Sequence, residues 1–190
     1  MNFYYKIIAA FVFCFSLLGV LEANAQIFKS KKDEVKISFF SETPLENISA
    51  VNSNSTSFIM NDSVRFSLAN TGFQFKKPLM QEHFNENYME SHKYPKSTFR
   101  GKINEIVDLS KDGTYKVTCA GVLYMHGVEK LITVPGVFTV KNKVVNLKAN
   151  FFVKLDDYKI ERPKVVMANI AESIEIKIDA NYLPFESSKK

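Results

Sequence analysis

Tyr115-Lys-Val-Thr-Cys-Ala-Gly-Val-Leu-Tyr-Met125, then His126-Gly127, then the run from Val128 to Val140, is the stretch that decides the fold of this chain. Tyr115, Val117, Cys119, Gly121, Leu123 and Met125 fall on one face of an extended backbone, since successive side chains of a strand point to opposite sides. The same period of two recurs on both sides of it. Val64 to Leu68 and Thr98 to Ile103 alternate, and Leu147, Ala149, Phe151, Val153 and Leu155 alternate mostly with lysine and asparagine. Ile174, Ile176, Ile178 and Ala180 are separated by Glu175, Lys177 and Asp179. One apolar and one polar face per strand is the pattern of antiparallel strands covering a single interior. The fold class is all-β.

The breaks carry turn chemistry. Asp112-Gly113 offers the positive φ of a tight hairpin, His126-Gly127 separates two long strands, and Lys141-Asn142-Lys143 separates the next two. Consecutive hairpins make a meander, and a meander with one shared apolar face closes most readily into a barrel of about eight antiparallel strands. A two-sheet sandwich is the alternative. Two stretches break the rhythm. Between Lys77 and Lys93, the residues Leu79, Met80, Phe84, Tyr88 and Met89 recur at helical spacing, with Pro78 at the start and Pro95 beyond the end. This predicts a short, irregular amphipathic lid helix over one end of the barrel. Asp156 to Ala168 predicts a long loop, and Pro44 to Ala50, in a Ser/Asn/Thr-rich segment, a short helical turn. No internal repeat or interdomain linker is seen.

The first 25 residues read as a signal peptide and not as fold. Lys6 precedes a nearly unbroken apolar run, Ile7 to Leu21, and Ala23-Asn24-Ala25 puts small residues where a signal peptidase cuts. A helix of about 15 residues spans roughly 22 Å, short of the roughly 30 Å core of a bilayer. The mature chain, 26–190, is then one domain starting near Gln26, periplasmic or secreted. Removing Lys6 and Glu22 together leaves the net charge at +5. The lysines are scattered along strands, which suits a solvated sheet face and weak attraction to an anionic membrane surface, and provides no basic stripe for nucleic acid. Cys119 is the one cysteine after the leader, so no internal disulfide forms and stability must come from burial. Within a strand it reads as a small buried hydrophobe. Three glycosylation sequons, at Asn47, Asn54 and Asn61, read as chance in a Ser/Asn-rich segment.

Several segments resemble the YceI-like family. They are Gly72-Phe-Gln-Phe75, Leu79 to Ser91, Lys93-Tyr-Pro-Lys-Ser-Thr-Phe-Arg-Gly101, Asp112-Gly-Thr-Tyr-Lys-Val-Thr118, Gly121 to Lys130, Phe152 to Ile160 and Ile174-Glu-Ile-Lys-Ile178. The resemblance runs from about Val35 to Tyr182, and the wording of the helix is similar to a Bacteroidetes-type subgroup. It implies an exported, lipocalin-like antiparallel barrel with an apolar tunnel for a polyisoprenoid or another long amphiphile. One departure is visible: the family's opening strand with its tryptophan is missing or shortened, and the chain has no Trp.

Of the 17 phenylalanines, four (Phe3, Phe11, Phe13 and Phe15) fall in the leader, which leaves an aromatic-rich interior. On this reading Phe66, Leu68, Phe73, Phe75, Phe99, Val117, Leu123, Phe138, Phe151 and Ile176 line the cavity. Leu79, Met80 and Phe84 form the lid, and His126 stands at the mouth. Small residues at Gly101, Cys119, Gly121 and Ala149 would leave the room. The competing reading is a filled barrel that acts through its surface as an interaction or stress-response module; a homodimer through edge or lid contacts fits either. Catalysis has little support. His83, Glu86 and Glu90 could share a helix face as metal ligands, and His-Glu-x-x-His, Gly-x-Ser-x-Gly and phosphate-loop motifs are absent. No enzyme activity, metal or cofactor is expected.

Overall fold

The computed structural model describes residues 26–162 and 170–185. The expected leader, Met1 to Ala25, and the later part of the expected loop lie outside them. The described residues form ten strands. They are β1 (Ile27–Ser41), β2 (Ile48–Asn52), β3 (Ser55–Met60), β4 (Ser63–Ala69), β5 (Phe73–Phe75), β6 (Lys96–Ile103), β7 (Gly113–Met125), β8 (Val128–Lys141), β9 (Val144–Lys154) and β10 (Ser173–Pro184). Every pairing is antiparallel. Eight strands run in the order β1-β3-β4-β6-β7-β8-β9-β10, and β10 pairs back onto β1, so the sheet closes into a barrel and not a sandwich.

Strands β2 and β5 extend two walls of this barrel. β1 pairs with β3 through Ile27–Lys29 and with β2 through Ile37–Ser41, while β5 continues β4 and pairs with β2. Asn52 sits at the joint with no exposed surface. Its amide donates to the Ala69 carbonyl, and its oxygen accepts from the Asn54 N–H and the Ser55 hydroxyl. The expected helical turn over Pro44 to Ala50 is not formed. Thr43 and Glu46 close a turn through the Thr43 hydroxyl, and Ile48 then enters β2, where Ile, Ala and Val fit a pleated half-buried surface.

The opening strand is present, contrary to the expectation from sequence. β1 is 15 residues long, and its pairing with β10 shifts register between Ser30 and Val35, with Asp33 at φ 66°. This bulge lies in Lys31-Lys-Asp-Glu34, whose charges break the visible alternation and disguise one long strand as polar sequence. The His126-Gly127 turn has φ of 50° and 76°, and Asn142-Lys143 has 52° and 65°, the two-residue hairpin geometry. Asp112-Gly113 does not make such a turn. The chain from Asn104 to Asp112 instead folds across the barrel end, where Leu109 is buried and the Asp112 carboxylate accepts the Asn142 N–H.

At that closed end Phe28, Val35, Ile59, Val140, Val145, Ala180 and Tyr182 are buried with Leu109 outside the cavity wall and plug the barrel. The Tyr182 hydroxyl is hydrogen-bonded to Ser57 Oγ at 2.8 Å, so both buried hydroxyls are partnered. Gly121 faces Gly101 across β6 and β7. A Cβ on Gly121 would lie 2.4 Å from the Arg100 carbonyl oxygen and the Gly101 Cα, so the backbones approach too closely for any side chain. Gly121→Ala should therefore cost about 1–3 kcal/mol, read as a lowered urea midpoint with unchanged slope.

Candidate ligand-binding cavity

Above the plug the barrel is hollow. A cavity of about 320 Å³ is lined by residues from β1, β2, β4 to β10, the lid and the turn after β9, at the lower end of the range that holds small organic ligands. Phe66, Leu68, Phe73, Phe75, Phe99, Val117, Leu123, Phe138, Phe151 and Ile176 all contribute to its wall, as do Met80 and Phe84 of the lid. Leu79 does not: it is 61% exposed and faces solvent. The short helix α1 (Pro78–His83) is continued by a π-helical turn, Phe84–Tyr88; Met80 and Phe84, four residues apart, take its inner face, and Leu79, one residue before Met80, falls on the solvent side. The wall also holds Ile37 and Phe39 of β1, which the disguised strand concealed, and Tyr88 and Met89.

One aromatic cluster joins lid to barrel. The Phe84 ring lies 5.5 Å from Phe39, 5.3 Å from Phe73 and 5.1 Å from Phe75, stacked on the first and tilted or edge-on to the others. Such pairs add about 0.5–1.5 kcal/mol beyond area burial, so the cluster anchors the lid at its middle. The opposite edge of the lid has a separate apolar cluster of Met89, Val153, Tyr158 and Ile160.

Room inside comes from small residues, but not from all those expected. Cys119 and Ala149 line the cavity, together with Gly136, which pairs with Ala149 across β8 and β9. Gly101 and Gly121 do not; the space beside Gly101 is filled by the Cys119 sulfur and the Phe99 ring. Polar wall residues are few. Ser41, Asn70 and Ser97 are buried, but Ser97 donates to Asn70 Oδ1, the Asn70 amide donates to the Tyr94 carbonyl, and the Ser41 hydroxyl accepts the Ala171 N–H. Glu46 and His83 stand at the rim, Glu46 paired with Lys77. The interior thus presents hydrocarbon and aromatic surface, with its buried polar groups already partnered.

His126 is not at the mouth. It is buried and absent from the cavity wall, because the left-handed backbone of the hairpin tip swings its ring back over the barrel rim. Its Nδ1 lies 2.9 Å from the Tyr158 carbonyl oxygen, which only accepts, so Nδ1 carries a proton. Its Nε2 lies 2.9 Å from a Glu90 carboxylate oxygen, and the Tyr94 ring packs edge-on at 4.7 Å. His126 therefore braces three segments: the β7–β8 hairpin, the end of the lid and the turn after β9. Glu90 is engaged in this brace, and among the described residues His83, Glu86 and Glu90 form no metal-ligand cluster. Cys119 lines the cavity with its thiol pushed up to about 11, first by burial and then by the Glu105 charge. A thiol held protonated is a poor nucleophile.

A closed eight-stranded antiparallel barrel with a plugged end, a lid and an apolar hollow defines a lipocalin-like binding fold. The YceI-like domain pattern matches residues 23–182, and the chain belongs to that family, one of binding proteins. Among solved structures, the fold is similar to a polyisoprenoid binding domain from Saccharophagus degradans implicated in plant cell wall breakdown. That match has 13% identity and a TM-score of 0.72, covering 83% of this chain and 98% of the other. BcnA of Burkholderia cenocepacia is similar at 14% identity and a TM-score of 0.70, covering 80% and 98%. The Campylobacter jejuni YCEI protein is similar at 16% identity and 0.54, covering 66% and 73%. No curated protein matches the chain in sequence.

Two outcomes follow from this geometry. Iodoacetamide should alkylate Cys119 slowly at pH 8 and steadily faster as pH rises toward 11, where the thiolate forms; mass spectrometry gives the rate. His126→Asn keeps a residue that tolerates positive φ but removes the brace, and should cost about 1–3 kcal/mol for the polar groups left without partners. Hydrogen exchange should then quicken around Glu90 and Tyr158 while the closed end keeps its protection.

Proposed function

We propose that the protein holds a long apolar amphiphile in the barrel interior: an isoprenoid quinone, a polyprenyl lipid or a fatty-acid derivative. The observation that carries this reading is the 320 Å³ hollow, walled by phenylalanine and aliphatic side chains, whose buried polar side chains Ser41, Asn70 and Ser97 are hydrogen-bonded within the protein. Such a site has little to offer a sugar, nucleotide or metal. A chain burying about 400 Å² there gains roughly 10 kcal/mol at 25 cal/mol per Å², before the costs of ordering reduce it. The polyisoprenoid-binding description of the Saccharophagus degradans neighbour supports the same ligand class.

The remaining parts of the proposal rest on sequence. The leader-like first 25 residues support export to the periplasm or beyond, and the helix wording supports a place in the Bacteroidetes-type subgroup. The protein acts by shape and burial, as a carrier or store and not as an enzyme. No helix among the described residues is long and apolar enough to cross a membrane. The head group would lie at the rim, beside Glu46 and His83.

Phe151→Glu places a carboxylate in the cavity wall, where an unpaired charge is strongly disfavoured. The variant should be produced and exported like the wild type and carry no lipid that solvent extraction can detect. Retained lipid would remove Phe151 from the binding site.

A further inference from the structure

The barrel wall is not continuous between β8 and β9. β7 and β8 pair along their whole length up to Met125–Val128, and β9 and β10 pair up to Lys154–Ser173. Yet β8 and β9 pair only from Lys141–Val144 to Gly136–Ala149. Past that point Pro135 follows, a residue with no N–H to extend a ladder, and the two strands diverge. The turn after β9, Leu155 to Ile160, packs into the opening. Tyr158 is 2% exposed, and Leu155 and Ile160 form part of the cavity wall.

This wedge is held differently from the rest of the wall. Its backbone hydrogen bonds close on itself, Tyr158 and Ile160 to the Leu155 carbonyl and Lys159 to Asp156, or reach Glu172; among the described residues none goes to β8 or β9. Its ties to the β7–β8 hairpin are side-chain bonds, the His126 Nδ1–Tyr158 carbonyl bond and the Lys130–Asp157 ion pair at 2.6 Å. The Tyr158 hydroxyl is buried with no hydrogen-bond partner among the described residues, a cost that is relieved when the turn lifts out. Outside, Leu131 on β8 is 78% exposed and Phe152 on β9 is 67% exposed, one on each lip of the opening. Single exposed apolar residues are ordinary. Two large ones flanking a wedge whose inner side is the apolar cavity are not.

We propose that the β8–β9 opening is the gate through which the ligand passes, that the Leu155–Ile160 turn is its removable plug, and that Leu131 and Phe152 seat the lips on a lipid bilayer. The proposal rests on the lipid-binding reading above, since a ligand of that class resides in a bilayer and avoids water. Seating the two side chains in the interfacial region brings the gate against the ligand's source, and Lys154, exposed on the same face of β9 as Phe152, suits the phosphate layer. The ligand then slides from one apolar medium to another.

The test uses all-trans-retinol, a fluorescent isoprenoid alcohol, supplied either from phosphatidylcholine vesicles or directly from ethanol. Leu131→Ser with Phe152→Ser should slow uptake from vesicles by about ten-fold or more, as expected for losing two inserted apolar side chains, and leave equilibrium binding from ethanol within about two-fold. At pH 7, where the Cys119 thiol stays protonated, Lys130→Cys with Asp157→Cys bridged by a cleavable bismaleimide should block vesicle uptake, and cleaving the bridge should restore it in the same sample. Unchanged vesicle uptake in the serine variant, or uptake through the bridged gate, overturns the proposal. So does a wild-type dimer that the serine variant dissolves, which assigns the patch to a second copy. Retinol and menaquinone both failing to bind from ethanol would instead remove the lipid-binding reading on which the gate depends.

Discussion

Everything in this molecule depends on the pairing of β10 with β1. Without it the sheet is an open ladder with two long edges, and the apolar face of every strand has nothing to pack against but water or another chain. With it, Val35, Ala180 and Tyr182 lose all exposure, and one continuous inner surface replaces two sheet faces. The bulge at Lys31 to Glu34 belongs to this closure, because it bends β1 so that its first residues meet β3 and its last meet β2.

Closure also fixes the volume inside. An eight-stranded barrel has an interior about wide enough to be filled by side chains, and whether it is filled depends on residue sizes at each level. At the plugged end Phe28, Ile59, Leu109 and Tyr182 fill it. Higher up, Cys119, Gly136 and Ala149 stand where larger residues would meet, and the phenylalanines stand back against the walls. The same chain thus has a stabilising half and a binding half, stacked along one axis. The lid then caps the hollow through Phe84 on one side and the His126 brace on the other.

Much of this was legible in the sequence because period two is a strong local signal. It gave β4, β6, β7, β9 and β10, and from them the inward Phe66, Phe99, Val117, Leu123, Phe151 and Ile176, which do line the cavity. It failed where local chemistry and tertiary role diverge. β1 was hidden by the charged bulge, and with it Phe39, which stacks on the lid. Leu79 belongs to the lid helix but faces solvent, because Met80 and Phe84 take its inner face. The aim of the His126 ring is set by a left-handed backbone, and its partners Glu90 and Tyr158 are 36 and 32 residues away in sequence. The resemblance to the YceI-like family was carried by segments in the right order, and the family match extends across 23–182. The gap between β8 and β9 had no signal beyond Pro135, since splaying is a property of paired strands and not of either one.

The most direct test of the account is native mass spectrometry of the protein purified from its own cells, with solvent extraction of whatever it carries. The account predicts one apolar molecule per chain, retained through purification and released by organic solvent, with the mass of an isoprenoid or fatty-acid derivative. A clean ligand-free mass, with no uptake of quinones or polyprenols offered afterwards, would contradict it and show that the hollow serves no ligand of this class.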